Sequence, residues 1–387
     1  MRGLRGDGPR GGCLRNWAEI DLPAFASNVR TLCERSPGGR LMAVLKADAY
    51  GHGASLLAPV AEQAGVASLG VGDSTEALEL RRAGARAPIL VLGALVSSEI
   101  PLVVASGITP VIHSRGRLAE LEEEARRQGR VLPVHLKVDT GMARLGMRAE
   151  KVPGAAREIA RSPWLRLEGL MSHLAGPGSG GDSADRAQVR RFTGLLEELS
   201  RERLRPPQVH LRNSAAIFDD ELKVPGETLV RAGAALYGFM AERPAAPGLL
   251  PVLSLKTQVV FIKDVESGSR VGYGGVFAAR RLTRLAVVPL GYDDGVPPGL
   301  AQAGEVLVRG RRARIAGAIS MDYTTIDITD VPGAKVGDEV TFIGAQERDR
   351  ITVWDVARLA GTAPHAVVCG LGRRVVRVPA GEKVAVG

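Results

Sequence analysis

Several short stretches of the chain set reactive side chains beside glycine-rich turns. In Ala43-Val-Leu-Lys46-Ala-Asp-Ala-Tyr50-Gly-His-Gly53 a lysine ends an apolar run and a tyrosine follows four residues later. Partial burial lowers a lysine's pKa, and a neutral amine is the form that attacks carbonyl compounds. A tyrosine at that spacing would stand one helical turn away, placed to donate to a phosphate. The alternative for Lys46 is a side chain that snorkels at a strand end. Lys137-Val-Asp139-Thr140-Gly141-Met142-Ala-Arg144-Leu-Gly146 crowds charge at the end of another apolar run, as an anion-binding corner or a charged loop. His173, Asn213-Ser214 and Arg231 each stand at or just after a further run. Tyr273 and Tyr292 lie between glycines in Gly272-Tyr-Gly-Gly275 and Gly291-Tyr-Asp-Asp-Gly295, and Ser320-Met321-Asp322 completes the set. A tyrosine between glycines has little local packing, so it either braces a hairpin or serves a site.

These residues need elements that bring them together. From Trp17 to about Tyr237 short apolar runs alternate with helix-like stretches. The strand expectations are 41–45, 67–71, 89–92, 109–112, 134–138, 167–171, 208–211 and 228–231. Helices are expected over 74–83, 116–128, 186–202 and after Asn213, with Gly and Pro at the joins. Eight strands alternating with helices predict an α/β fold with a closed (β/α)8 barrel of the TIM type, and an open doubly wound sheet is the alternative. A barrel would turn Lys46, Lys137, His173, Ser214 and Arg231 toward one mouth. Beyond a proline-rich connection at 241–251 the runs become short and β-type, at 255–262, 285–290, 305–308, 324–328 and 339–343, with one helix near 353–360. This pattern predicts a mainly-β second domain. The expected division is an N-terminal extension over 1–15, a barrel over 16–245 whose first strand is free to pack with the second domain, and a β domain over 246–387.

Composition supports this division. The 387 residues are 45% hydrophobic and only 4% aromatic, so the core must be aliphatic, which suits a buried parallel sheet. The net charge of +9 raises nucleic acid as a partner, but acidic and basic residues interleave along the helices, as in Glu76, Glu79, Arg81 and Arg82. Solvated helix faces are the simpler reading, and no nucleic-acid partner is expected. No apolar run reaches membrane-spanning length, and Met1 to Arg15 lacks the apolar core of a secretory signal, so a cytoplasmic protein is expected. Cys13, Cys33 and Cys369 form no metal or disulfide pattern. Gly176-Pro-Gly-Ser-Gly-Gly181 matches a dinucleotide-binding expression, but Pro177 breaks its turn. The six histidines are scattered, and no metal site is expected.

Taken in order, VLKADAYGHG, KVDTGMARLG, RAGAALYG, GYGG and the SMD tripeptide resemble alanine racemase, a family of pyridoxal-phosphate enzymes with a barrel and a β domain. The resemblance runs from Trp17 to about Arg377. It implies that Lys46 holds the cofactor and serves one face of the substrate. Tyr273 would serve the other face from a second subunit, making the active enzyme a homodimer. Tyr50, Asn213, Ser214 and the backbone near Gly233 are implied to bind the phosphate end. Arg231 would face the pyridine nitrogen, and His173 would lie near the ring. Arg144, Tyr292, Met321 and Asp322 are implied substrate-site residues, and Lys137 corresponds to a lysine carbamylated in some members. The product would be D-alanine for peptidoglycan.

Three positions depart from the family pattern. Gly317-Ala318-Ile319 lacks a common arginine, Arg373-Arg374-Val375-Val376 stands where Tyr-Arg-Val-Pro is frequent, and Ala143 replaces a frequent glycine. The competing readings are a racemase for serine or a wider amino-acid range, a decarboxylase relative and a barrel-type cofactor carrier. The decarboxylases usually need a Cys-Glu-Ser type motif that Cys369-Gly-Leu does not match, and the carriers usually lack a β domain.

Overall fold

The computed structural model describes residues 14–176, 182–240, 248–301 and 303–382. Most of the N-terminal extension, most of the glycine-rich stretch after Gly176 and the first part of the proline-rich connection fall outside the described residues. The chain divides into one unit spanning Pro23–Pro251 and another combining Met1–Leu22 with Val252–Gly387.

In the first unit the apolar runs become eight strands: β1 (Leu41–Val44), β2 (Ser68–Val71), β3 (Ile89–Val91), β4 (Thr109–Ile112), β5 (Leu132–Asp139), β6 (Leu165–Met171), β7 (Gln208–His210) and β8 (Val230–Ala232). Successive strands from β1 to β7 pair in parallel, and β8 pairs with β1. Between β7 and β8 the amides of Thr228 and Leu229 donate to the Val209 carbonyl, and that of Arg231 donates to Arg212. These bonds draw the ring together, where an open sheet would leave β7 and β8 as distant edges. Met42, Leu90, Val111, Met171 and Leu229, from five places around the ring, form one buried cluster. Helix Ser74–Arg82 is N-capped by Asp73 and helix Arg115–Gln128 by Ser114, with Gly129 closing the latter in the left-handed conformation.

The stretch after Asn213 is not the expected helix. It forms two short 3₁₀ turns, Ala216–Phe218 and Asp220–Leu222. Asn213 Oδ1 takes the Ala216 amide and Asp219 Oδ1 takes that of Glu221, so short side chains satisfy the groups a longer helix would have used.

The second unit is built on a ten-stranded sheet among the described residues. Strand Asn16–Ile20 lies inside this sheet, antiparallel to Leu253–Gln258 and parallel to Val376–Pro379. The expected single run at 255–262 is two strands, Leu253–Gln258 and Phe261–Val265. At Val259 and Val260 the chain changes partner, from Glu339–Gln346 to Thr283–Val288, which breaks the run. Arg311–Ile315 is a strand not expected from its composition. A separate two-stranded hairpin, Arg270–Val271 with Phe277–Ala278, carries Tyr273 at its tip. Helix Val353–Ala360 stands where the pattern put it, with Thr352 and Asp355 forming a capping box.

Candidate active site

β1 delivers Lys46 into a turn of unusual hand. Ala47, Asp48, Ala49 and Tyr50 have φ values of 52, 51, 54 and 53°, four consecutive L-residues in the left-handed region. Each such residue costs about 1–2 kcal/mol, so the turn must be held from outside. Glu76 Oε1 accepts the Ala47 amide at 2.6 Å and its Oε2 accepts the Gly72 amide at 2.7 Å. Asp48 Oδ1 accepts the Ala54 amide at 2.6 Å, and His52 Nδ1 lies 2.8 Å from the Tyr50 carbonyl. The tyrosine therefore reaches the lysine around a left-handed turn, not along the expected right-handed one, and Lys46 Nζ lies 5.9 Å from the Tyr50 ring centre. Lys46 itself is exposed, where partial burial was expected, because it opens a loop at the rim of the strand. Glu76 was assigned to a solvated helix face. It is half-buried, burial raises its carboxyl pKa, and the Gly72 and Ala47 amides act against that rise. Arg81, from the same helix, donates to the carbonyls of Ala85 and Ala87.

Behind the turn stands an aromatic group. Tyr237 is buried, donates to the Val44 carbonyl at 3.0 Å, and has ring centres of Tyr50 and His52 at 5.1 and 4.4 Å. Tyr50 Oη points at the backbone of Gly233, where a Cβ would meet it at 2.4 Å. Ser214 Oγ accepts the Gly233 amide at 2.9 Å and the Ala235 amide at 3.3 Å. Tyr50, Ser214 and Gly233 thus form one hydroxyl- and amide-lined corner. Asn213 spends its side-chain oxygen on the turn beside it.

Arg231 stands in the middle of β8, 3% exposed. Its two Nη atoms donate to the carbonyls of His210, Ser172 and Leu211 at 2.8, 2.8 and 2.9 Å. They also lie 3.1 Å from Nδ1 of both His210 and His173. A guanidinium only donates, so both Nδ1 atoms accept and each ring carries its proton on Nε2. His210 Nε2–H then donates to His135 Nδ1 at 2.8 Å, giving a directed chain from Arg231 through His210 to His135. Burial, reinforced by the Arg231 charge, lowers His173 to about 2 and His135 to about 3. His210 is held well below its ordinary value by burial, then by His135 and Arg231. Burial draws Arg231 down to about 10, which leaves it cationic at neutral pH. Its Nε makes none of its five bonds to the protein among the described residues.

Lys137, near the end of β5, is the lysine that burial depresses, to about 8, with Arg231 and Arg144 adding repulsion. The following loop wraps around Asp139, whose Oδ1 accepts the Gly141 and Ala143 amides at 2.9 and 3.1 Å and leaves Arg144 exposed. Gln188 and Arg191, from helix Asp182–Arg201, tie this loop down. Gln188 Nε2 donates to Thr140 Oγ1 and to the His173 carbonyl, both at 3.1 Å, and Arg191 donates to the Thr140 carbonyl. Gln188, His135, His210 and Glu76 were not among the expected site residues. The histidines lie inside apolar strand runs and Gln188 on a helix face, so nothing local marks them.

The remaining expected residues belong to the other unit. Tyr273 is 77% exposed, on a hairpin tip where Gly272, Gly274 and Gly275 have φ values of 72, 68 and 54°. Tyr292 and Met321 are also exposed, and their loops are joined by backbone bonds from Tyr292 to Ser320 and from Asp293 to Met321. Arg374 fastens this cluster, bonding Asp322 at 2.6 Å and both oxygens of the buried Asp294 at 3.0 and 3.1 Å. Lys46, Tyr50, Lys137, Arg144, His173, Ser214, Arg231 and Gly233 are thus carried by the barrel. Tyr273, Tyr292, Met321 and Asp322 are carried by the β unit. Among the described residues no group of His, Cys, Asp and Glu is placed to hold a metal ion, and no helix is long and apolar enough to cross a membrane.

Residues 20–241 match the family model for the alanine racemase N-terminal domain, and residues 252–379 match that for its C-terminal domain. The alanine racemase of Symbiobacterium thermophilum is 39% identical over 379 residues, covering 96% of this chain and 98% of its own. That of Sorangium cellulosum is 40% identical over 375 residues, covering 93% and 97%. Among solved structures, alanine racemase from D-cycloserine-producing Streptomyces lavendulae superimposes with a TM-score of 0.89 at 34% identity, covering 96% of this chain and 98% of that one. Alanine racemase from Bacillus anthracis with bound L-Ala-P gives 0.83 at 32% identity, covering 95% of each chain.

Proposed function

Because the chain belongs to the alanine racemase family, we propose that it interconverts L- and D-alanine on pyridoxal phosphate, with Lys46 and the partner subunit's Tyr273 serving opposite faces of the substrate. The observation that carries this reading is the corner beside Lys46. Tyr50 Oη occupies the space that a Cβ at Gly233 would fill, and Ser214 Oγ lies against the Gly233 amide. Hydroxyls and amides converging next to a lysine suit the phosphate of a cofactor whose carbonyl that lysine captures.

When bound, the cofactor supplies the electron sink that acidifies the substrate's α-proton. The rest is the work of side chains. Racemisation removes a proton from one face and returns one to the other, and a single fixed base tends to return it where it was taken. Two bases solve this: Lys46 Nζ holds or releases the proton on one side, and the phenol of the partner subunit's Tyr273 does so on the other. Arg231 is assigned to the ring nitrogen through Nε. Its positive charge, with only neutral imidazoles at its Nη atoms, disfavours a second proton there and moderates the sink. Arg144 is assigned to the substrate carboxylate, with Lys137 beside it open to carbamylation. Tyr292, Met321 and Asp322 are assigned to the substrate entry. The exposed Tyr273, Tyr292, Met321 and Tyr323, in a chain with few aromatics, support a homodimer in which they are covered. The D-alanine formed would serve peptidoglycan synthesis.

The test is a racemisation assay on alanine, serine and lysine with cofactor spectra recorded alongside. The reading requires visible absorption that Lys46→Ala abolishes, and turnover of alanine above the others. A protein that takes up no pyridoxal phosphate and turns over no alanine overturns it. Mixed dimers of Lys46→Ala and Tyr273→Phe chains should regain activity that neither homodimer has, since one of their two sites would be intact. Failure to regain it counts against the shared site.

A further inference from the structure

We propose that Glu76 is the positioning residue for Lys46, its carboxylate holding the left-handed turn that aims the amine. The inference rests on the assignment of Lys46 above. The geometry is specific to a two-acceptor anion. One oxygen takes the Ala47 amide, directly after Lys46, and the other takes the Gly72 amide in the loop after β2. Two loops that share no sequence are thereby fixed to each other at the lysine. The carboxylate forms no ion pair among the described residues, so charge pairing is not what places it there. It is placed instead by its own helix. Asp73 caps Ser74–Arg82 by accepting the Glu76 amide at 2.9 Å, which sets Glu76 in the first turn, where a negative charge is favoured. Gly72 leaves the necessary room: a Cβ there would lie 3.2 Å from Glu76 Oε2 and 3.7 Å from Lys46 Cβ.

Four L-residues do not stay left-handed without such an anchor. The far end of the turn has its own supports, in Asp48 to Ala54 and in the packing of Tyr50 on Tyr237. Glu76 is the support at the near end, next to the lysine. Glutamine is the informative replacement. It is isosteric, but it offers one acceptor and one NH₂, so one of the two backbone N–H groups must face another donor. Aspartate is one methylene short of the amides.

The experiment uses the full-length protein freed of its cofactor. Capture of pyridoxal phosphate is followed by its visible absorption and by borohydride trapping at Lys46, identified by mass spectrometry. Binding of pyridoxamine phosphate, which has the same ring and phosphate but no carbonyl, is titrated in parallel. Glu76→Gln should slow capture about tenfold and Glu76→Ala more, while pyridoxamine phosphate affinity stays within about twofold, because the Tyr50, Ser214 and Arg231 contacts remain. Hydrogen exchange in the peptide covering 45–53 should accelerate in both. Ser114→Ala, which removes the cap of another barrel helix, Arg115–Gln128, and touches neither loop bond, should lower the melting temperature without slowing capture. Unchanged capture and exchange in Glu76→Gln overturn the proposal, as does an equal fall for both ligands, which would mean the whole corner collapsed. Failure of the wild-type protein to trap the cofactor at Lys46 overturns the underlying assignment instead.

Discussion

Gly233→Ala probes the closest approach in the barrel site. A methyl group there would lie 2.4 Å from Tyr50 Oη and 3.0 Å from Tyr50 Cζ. The first distance is about 1 Å inside ordinary contact. Tyr50 cannot simply tilt away, because its ring packs on Tyr237 at 5.1 Å and its backbone is held in the left-handed turn. Overpacking of this kind costs about 1–3 kcal/mol, which should appear as lower stability and as weaker pyridoxal phosphate binding, roughly tenfold for each 1.4 kcal/mol. Tyr50→Phe removes the atom at 2.4 Å and leaves a contact that a shift of a few tenths of an ångström relieves. Adding Gly233→Ala to Tyr50→Phe should therefore cost about 1–2 kcal/mol less than adding it to the wild type. Any backbone cost of alanine at 233 is common to both arms of the cycle and cancels. Urea unfolding of the four cofactor-free proteins gives the stability cycle, and cofactor titration gives the binding cycle. Equal costs in the two backgrounds would refute the claim that the tyrosine hydroxyl fills the place of the missing β-carbon.

Two further outcomes follow from the barrel. His135 and His210, 2% and 0% exposed, are held neutral, with His135 at about 3 and His210 also far below its ordinary value. The unfolded chain therefore binds more protons as the pH falls below about 6.5. Below that pH each should contribute a loss of up to about 1.4 kcal/mol of stability per pH unit, for His135 down toward pH 3, read by chemical denaturation at pH 7, 6 and 5, and a double His→Asn variant should flatten that slope. Ala143 has a φ of 56°, so the alanine that replaces the frequent glycine sits in a left-handed position. Ala143→Gly should relieve about 1–2 kcal/mol of strain and return about 0.4–1 kcal/mol through the unfolded chain. The net change in denaturant midpoint should be small and stabilising, and a destabilised variant would contradict it.

The barrel strands were legible because buried parallel strands read as bounded aliphatic runs. Their ends, just past which Lys46 and His173 stand, were legible with them, whereas Arg231, expected at a strand end, lies in the middle of β8. Other features lacked a local signal. From Arg312 to Ile315 the strand Arg311-Arg-Ala-Arg-Ile315 alternates exposure as a strand with one face to solvent should, but it has only two apolar residues to show it. The left-handed turn is spelled Ala-Asp-Ala-Tyr, in which only the aspartate has any leaning toward that conformation, and its near end is bonded by Glu76 from helix Ser74–Arg82. Glu76 in turn looks like any acid in the first turn of a helix. His135 needs Gly169 opposite, where a Cβ would come within 2.3 Å of its ring, and that adjacency exists only once β5 and β6 pair. What sequence patterns miss here are contacts between loops and across strands, which have no fixed spacing along the chain.

The strand Asn16–Ile20 has a consequence for the order in which the chain can be completed. It lies between Leu253–Gln258 and Val376–Pro379, and Asn16 bonds Thr257 across 241 residues of sequence. During synthesis the barrel residues Pro23–Pro251 emerge as a continuous block and can close first. The N-terminal strand must wait, unpaired, until Leu253–Gln258 follows the barrel, and its other edge stays open until Val376–Pro379 leaves the ribosome. Its exposed apolar residues are then the segment most open to wrong pairing, and Val376–Pro379 is the last strand to join it. A truncation of ten or so residues at the C-terminus would therefore injure the N-terminal strand, and a fusion at either end would act on the same edge of one sheet.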